Sequence, residues 1–283
     1  MVAGGPCHAA LVRFRLDHRF FSTLTVSVIT CVAALCASCD GEAPVAGHTS
    51  TSEADAAPTT LRVCTTGDYR PLSYRDPATG QYTGIDIDMA NDLAAQLGRT
   101  ATFVATTWRS LMTDMAAPGK CDLAVGGISK TPAREQLADF TQPYLRTGKT
   151  PLATAANADR FQSIEQINRH DVRVIENAAG TNEQFARQNF PNATLIIWPD
   201  NTTVFDQLLE GRADVMITDA IEAVYQAKRN PGLVAVHPDE PFTTDHKAYL
   251  LPKGSQLTER VNQWLAHALT DGTFSRFYTQ WMR

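Results

Sequence analysis

From residue 61 onward the chain alternates between two rhythms. Short β-branched and apolar runs bounded by Gly, Asn or Asp mark strands, and longer stretches with apolar residues at i, i+3 and i+4 mark helices. "LRVCTTGD" is a strand ending in a loop at Gly67. "GIDIDMANDLAAQLG" is a helix, with Ala90, Leu93, Ala94 and Leu97 at helical spacing, Asp86 expected as N-cap and Gly98 closing the carboxyl end. "TATFVATTW" is a strand, "SLMTDMAAPGK" a short helix and "CDLAVGGIS" a third strand. Strands alternating with helices imply parallel strands joined by crossover helices.

After Thr150 the same grammar restarts. "DVRVIENAAG", "ATLIIWP" and "ADVMITD" are strands. Between and after them lie the helices "TNEQFARQNF", with an expected capping box from Thr181 to Gln184, "NTTVFDQLLEG" and "DAIEAVYQAKRN". "HKAYLLPKG" is expected as one strand, and the tail as two helices broken at Gly272. The pattern predicts an α/β protein of two doubly wound lobes with a ligand cleft between them. Ligands bind at the carboxyl ends of such strands, here "TTGDYRP", "TTWRS", "GGISKTPAR", "NAAGTNEQ" and "ITDAIE".

Composition narrows the function. The 283 residues are 43% hydrophobic and 19% charged, with a net charge of −5. That balance disfavours nucleic acid and anionic membrane surfaces as partners. Residues 1–39 have the form of an export signal: Arg13, Arg15 and Arg19 precede the apolar "STLTVSVITCVAALCAS", which is short for a membrane span. "LCASC" is similar to a lipoprotein box that would lipidate Cys39, and ordinary cleavage nearby is the alternative. A lipid there is the one membrane attachment expected. Residues 40–60 lack apolar periodicity and are expected to form a flexible tether. Of six cysteines, only Cys64 and Cys121 lie beyond the leader, and two free buried thiols are expected. The histidines are scattered without zinc spacing. "RTGKTP" lacks the first glycine of a phosphate loop, and no dinucleotide fingerprint is present.

One short stretch poses a chemical question. "DVMITDAIEAVYQ" places Asp219 and Glu222 three residues apart at a helix start. The pair could be a capping box, with Asp219 as N-cap and Glu222 reaching back, or one carboxyl could handle a proton.

"GDYRPLSYRDPATGQYTGIDIDMANDLAAQLG", "GGISKTPAREQLADFTQPY", "GRADVMITD" and "DGTFSRFYTQW" are together similar to the type II periplasmic solute-binding proteins that take polar amino acids. The resemblance implies that residues 61–150 and 247–283 form lobe one and residues 151–246 lobe two. "CTTGDY", "YLRTGKTP", "AGTNEQFAR", "PDNTTVF" and "TDAIEA" resemble more closely a branch of periplasmic dehydratases built on this fold. That branch implies conversion of prephenate to phenylpyruvate and of arogenate to phenylalanine, with loss of water and carbon dioxide and no cofactor.

The resemblance also assigns roles. Arg134 matches the carboxylate clamp, where a planar guanidinium holds a carboxylate bidentately; a surface ion pair is the alternative. Lys149 matches a ligand-facing residue, against a solvated hinge lysine. Thr181 opens a helix whose amides can receive an anion. Asp68, Trp108 and Asn177 match cleft positions, although Trp108 would also suit a core. This chain has "NAAGTN" where that branch carries Pro-Gly before Gly-Thr-Asn. Asp219 grips the ligand ammonium in the amino-acid binders, and Glu222 matches the dehydratase general acid. The chemistry needs one, because hydroxide is a poor leaving group and a positioned acid must protonate it. A transport receptor that delivers an amino acid to an ABC permease is the competing reading.

Overall fold

The structure, a computed structural model, describes residues 59–283. The expected leader with Cys39, and nearly all of the tether, lie outside the described residues. The chain starts with β1 (Thr60–Thr65) and a small sheet of β2 (Asp68–Tyr69), β3 (Ser73–Arg75) and β4 (Tyr82–Thr83). Then come α1 (Ile85–Gln96), β5 (Thr100–Ala105), α2 (Leu111–Ala116), β6 (Leu123–Ala124), α3 (Pro132–Leu137) and β7 (Ala138–Phe140). Strands β8 (Leu145–Thr147) and β9 (Lys149–Thr154) precede α4 (Ile164–Ile167), β10 (Arg173–Asn177), α5 (Thr181–Asn189), β11 (Thr194–Trp198), α6 (Val204–Leu209), β12 (Val215–Asp219), α7 (Ala220–Arg229) and β13 (Leu233–Ala235). β14 (Asp245–Lys247), β15 (Leu250–Pro252), α8 (Thr258–Thr270) and α9 (Thr273–Met282) follow.

Two five-stranded sheets carry the fold, in the orders β5-β1-β6-β15-β7 and β11-β10-β12-β9-β13. The expected parallel pairs are present: β1 with β5 and β6, and β10 with β11 and β12. Each sheet also takes antiparallel strands. β9 and β13 join the second sheet, and β15 joins the first between β6 and β7. β8 and β14 pair with each other. Gly148, between β8 and β9, is a forced choice, because a side chain there would collide with the Thr243 carbonyl and the Pro241 ring.

The first core packs Leu61, Val63, Met89, Leu93, Leu123, Tyr249 and Leu265 between sheet and helices. Each such buried side chain contributes about 1.5–3 kcal/mol. The carboxyl-terminal helices are fastened to α1, where the Trp264 indole donates to Asp92 at 2.8 Å and that of Trp281 to Asp88 at 2.7 Å. The second lobe packs Val174, Phe161 and Ile217 on one face of its sheet and Leu152, Phe205 and Met216 on the other.

Four local expectations are corrected. Cys64 and Cys121 form a disulfide and are not free thiols, with Cα atoms 5.6 Å apart. β1 and β6 are neighbours with Cys64 opposite Ala124, so Cys121 arrives within bonding reach. Asp86 does not cap α1, whose N-cap is Gly84. The Asp86 carboxylate instead accepts from the Gly126 and Gly127 amides at 2.9 and 2.8 Å and from Tyr144 at 2.6 Å. Thr181 is the first residue of α5 and not its cap, which is Gly180. Glu183, rather than Gln184, reaches back, accepting from the Ala179 amide at 2.6 Å. That bond steadies Ala179 at φ 64°, a left-handed conformation that glycine adopts more readily. "HKAYLLPKG" divides into β14 and β15, which serve different sheets. Among the described residues no helix is long and apolar enough to cross a membrane.

Candidate active site

Strand register decides which side chains meet. Residues directly opposite in adjacent strands project from the same face. Asp219, the last residue of β12, lies opposite Lys149, the first of β9. Lys149 Nζ donates to Asp219 Oδ1 at 3.0 Å, to Asn182 Oδ1 at 2.5 Å and to Thr181 Oγ1 at 3.0 Å. Ser129 bridges to Lys247 in the same manner. Lys247 Nζ donates to Ser129 Oγ at 2.9 Å and to Asp219 Oδ2 at 2.5 Å. Tyr69, from β2, also donates its hydroxyl to Asp219 Oδ2 at 2.5 Å. The carboxylate at the end of β12 is thus held by donors from its own sheet (Lys149), from the small sheet (Tyr69) and from the β8–β14 pair (Lys247).

These contacts set the protonation states. Burial alone would raise Asp219, but the Lys149 and Lys247 ammonium groups outweigh it and hold the carboxyl well below the usual range. Glu222 is fully buried, and burial pushes it well above the usual carboxylic range; the Thr218 hydroxyl opposes this shift and the Asp219 charge adds to it. Its Oε2 accepts from Thr218 Oγ1 at 2.5 Å, while Oε1 has no partner among the described residues. Two carboxyls three residues apart are therefore driven in opposite directions, Asp219 toward its ionised form and Glu222 toward its protonated one.

The geometry removes the capping-box alternative. Asp219 is the N-cap of α7, yet its side chain makes no capping bond and turns to the lysines. Glu222 bonds to Thr218 instead of reaching back.

Of the residues singled out from sequence, Trp108, Arg134, Asn177, Thr181 and Asp219 line one cavity, with Lys247 as a further member. The space between them is about 20 Å³, room for a water molecule and not for a six-membered ring. Arg134 Nη1 donates to the Ser129 carbonyl at 2.9 Å, and burial lowers its pKa against the pull of Asp219. Asn177 accepts from Asn182 Nδ2 at 3.2 Å, and Asn182 also donates to Thr218 Oγ1 at 3.2 Å, so a hydrogen-bonded path runs from Lys149 to Glu222. Lys149 and Glu222 are not among the residues that line the cavity: Lys149 bonds to the lining residues Thr181, Asn182 and Asp219, and Glu222 is reached from Asn182 through Thr218. Asp68 accepts from the Trp108 indole at 3.1 Å and faces a separate pocket of about 660 Å³. Burial raises the Asp68 pKa. The Trp108 ring meets Tyr69 edge to face at 6.0 Å.

Sequence reasoning missed Lys247, Tyr69, Ser129 and Asn182. It also missed Glu176, fully buried on β10, which accepts from the Ile217 amide at 2.9 Å. Its pKa is raised well above the ordinary value by burial, against the pull of that amide. The one available signal was charge inside apolar runs: Glu176 in "VIEN" and Lys247 in "HKAYLL".

Two α/β lobes, each built on a parallel sheet core and joined by paired crossing strands around a buried polar cleft, define a two-lobed binding-protein fold. Residues 61–283 match the bacterial extracellular solute-binding proteins, family 3, and the chain belongs to that family. It is 46% identical over 222 residues to the cyclohexadienyl dehydratase of Pseudomonas aeruginosa, covering 78% of this chain and 82% of the relative. It is 27% identical over 224 residues to an L-cystine-binding protein of Escherichia coli, again 78% of this chain and 82% of the relative. A similar solved structure is an ancestral amino acid-binding protein described as a precursor of cyclohexadienyl dehydratase: TM-score 0.73, 38% identity, 80% of this chain and 96% of that one.

Proposed function

We propose that this protein is an exported dehydratase that converts prephenate to phenylpyruvate and arogenate to phenylalanine, with Glu222 as general acid. The observation that carries the reading is Glu222 itself: fully buried, pushed by that burial toward its protonated form, and with one oxygen unpartnered among the described residues beside an ionised Asp219. A buried donor of this kind is what expulsion of a hydroxyl requires. The similarity to a cyclohexadienyl dehydratase supports the same reading.

In the proposed reaction Arg134 holds a substrate carboxylate in a two-point clamp. The amino end of α5, at Thr181, adds a favourable field for a second anion, and Asn177 supplies a polar contact. Trp108 provides an aromatic wall, steadied by Asp68. Glu222 passes its proton to the departing hydroxyl as the carbon–oxygen bond breaks. The bond from the ring to its carboxylate breaks in concert, and its electron pair completes the aromatic ring. Water and carbon dioxide leave, and Glu222 regains a proton from solvent when the lobes part. A transport receptor would share the fold but has no step that uses a buried carboxyl whose pKa is raised at this place.

Purified protein with prephenate tests the reading, with phenylpyruvate as readout. Glu222→Gln should keep the melting temperature within a few degrees, since the amide is nearly isosteric, and lower kcat by about 10²–10⁴-fold. Unchanged turnover in a folded variant removes Glu222 from the chemistry. No turnover in the wild type leaves the receptor reading in its place.

A further inference from the structure

In the amino-acid binders that the sequence resembles, the acid at the position of Asp219 grips the ligand ammonium; in this structure three protein donors hold that carboxylate. We propose that Lys149 and Lys247 cage Asp219 so that the cleft selects a 2-oxo dicarboxylic acid over its 2-amino counterpart. On the dehydratase reading, on which this inference rests, that means prephenate over arogenate.

Donors and acceptors make the case. An amino acid needs an anionic acceptor for its ammonium group. Among the described residues the charged side chains that line the cavity are Arg134, Lys247 and Asp219, so Asp219 is the one carboxylate there. Three protein donors already converge on it: Lys149 Nζ on Oδ1 at 3.0 Å, and Lys247 Nζ and Tyr69 Oη on Oδ2, each at 2.5 Å. In the closed cleft neither lysine is free to step aside. All three protons of the Lys149 ammonium are committed, to Asp219, Asn182 and Thr181, and the strand register pins its backbone opposite Asp219. Lys247 is 1% exposed, is held by Ser129, and lies 5.2 Å from the centre of the Tyr69 ring.

Charge leads to the same conclusion. The two lysines outweigh Asp219 by one positive charge, and Arg134 adds a second. A ligand with two carboxylates and a keto group balances that excess. Its amino counterpart adds a third positive charge and places its ammonium against two others, and like charges this close and this buried repel strongly. Selectivity of this sort rests on a repulsive element built against the wrong ligand. A keto oxygen, by contrast, is an acceptor, and Lys247 uses two of its three protons on Ser129 and Asp219.

The test compares kcat/KM for prephenate and arogenate on the full chain. The expected wild-type ratio favours prephenate by at least about tenfold, equivalent to 1.4 kcal/mol. Lys247→Met should free one side of Asp219 and lower that ratio about tenfold or more, while Lys247→Arg should keep it. Melting temperatures identify a misfolded variant, in which case Lys149→Gln takes the place of Lys247→Met with the same expected drop. A wild-type ratio at or below one, or a ratio unmoved by loss of either lysine, overturns the inference and leaves the dehydratase reading standing. If the wild type turns over neither compound, the dehydratase reading fails and calorimetry decides the inference alone. Prephenate bound about tenfold more tightly than arogenate upholds it. Equal affinity, tighter arogenate, or binding of neither overturns it.

Discussion

At residue scale, the described structure separates groups that sequence alone treats alike. Arg134 is the free-standing guanidinium of the cavity wall, bonded to a backbone carbonyl and to no carboxylate among the described residues. If it clamps a substrate carboxylate, Arg134→Lys should weaken prephenate binding about tenfold or more, because an ammonium cannot reproduce the two-point fork. Calorimetry on the Glu222→Gln background, where substrate persists, measures this, and near-normal affinity would return Arg134 to a structural role. Asp86 makes a different prediction. Burial raises its pKa from 3.8 to about 6, in spite of the donors from Tyr144, Gly127 and Gly126. The folded state therefore keeps a proton that the unfolded chain releases as pH rises through about 4, and stability falls between pH 4 and 6 before this contribution levels. The loss is on the order of 3 kcal/mol. Urea unfolding across that range should show a steeper fall for the wild type than for Asp86→Asn, and parallel curves would refute the assignment. Asp219 and Glu222 were legible in the sequence as a pair of acids at a helix start. What each does was not, because Lys149 and Lys247 lie 70 and 28 residues away from Asp219. No local pattern encodes such a meeting.

At the scale of elements, periodicity served well where it had length to act on. α1, α7, α8 and the parallel strands of both sheets lie where the apolar rhythm put them. The strands β7, β8, β14 and β15 have three residues each, too few for a two-residue alternation to register. β9 was absorbed into a boundary between lobes, and it is the strand that delivers Lys149. The disulfide was missed for a related reason: a cysteine in β1 and another just before β6 show no spacing rule, and only the pairing of β1 with β6 brings them together. It closes a loop with a sequence separation of 57, for which chain entropy gives about 4 kcal/mol of stabilisation. Reduction, or a Cys64→Ala/Cys121→Ala variant, should lower the unfolding free energy by an amount of that order. Chemical denaturation with and without reductant checks it, and identical midpoints would show that the bond does not constrain the unfolded chain.

At the scale of the molecule, a cleft of about 20 Å³ cannot admit a substrate without moving. The contacts that hold it shut are few. Asn201, in the second lobe, donates to the Asp68 carbonyl at 2.9 Å, and Tyr69 and Lys247 hold Asp219. Asn201→Ala should therefore favour the open form, enlarge the radius of gyration in solution scattering and raise KM more than it lowers kcat. Equal radii for variant and wild type, with and without a bound substrate analogue, would count against hinged closure. The path of the chain has a separate consequence. The second sheet is built from one continuous stretch, β9 to β13, whereas β15 slots between β6 and β7 only after that stretch has been made. As the polypeptide emerges from its amino end, the inner lobe can finish folding while the outer one still lacks a central strand. The first half of the outer lobe must then wait with its apolar face uncovered, which makes it the segment most dependent on help from a chaperone while the chain folds.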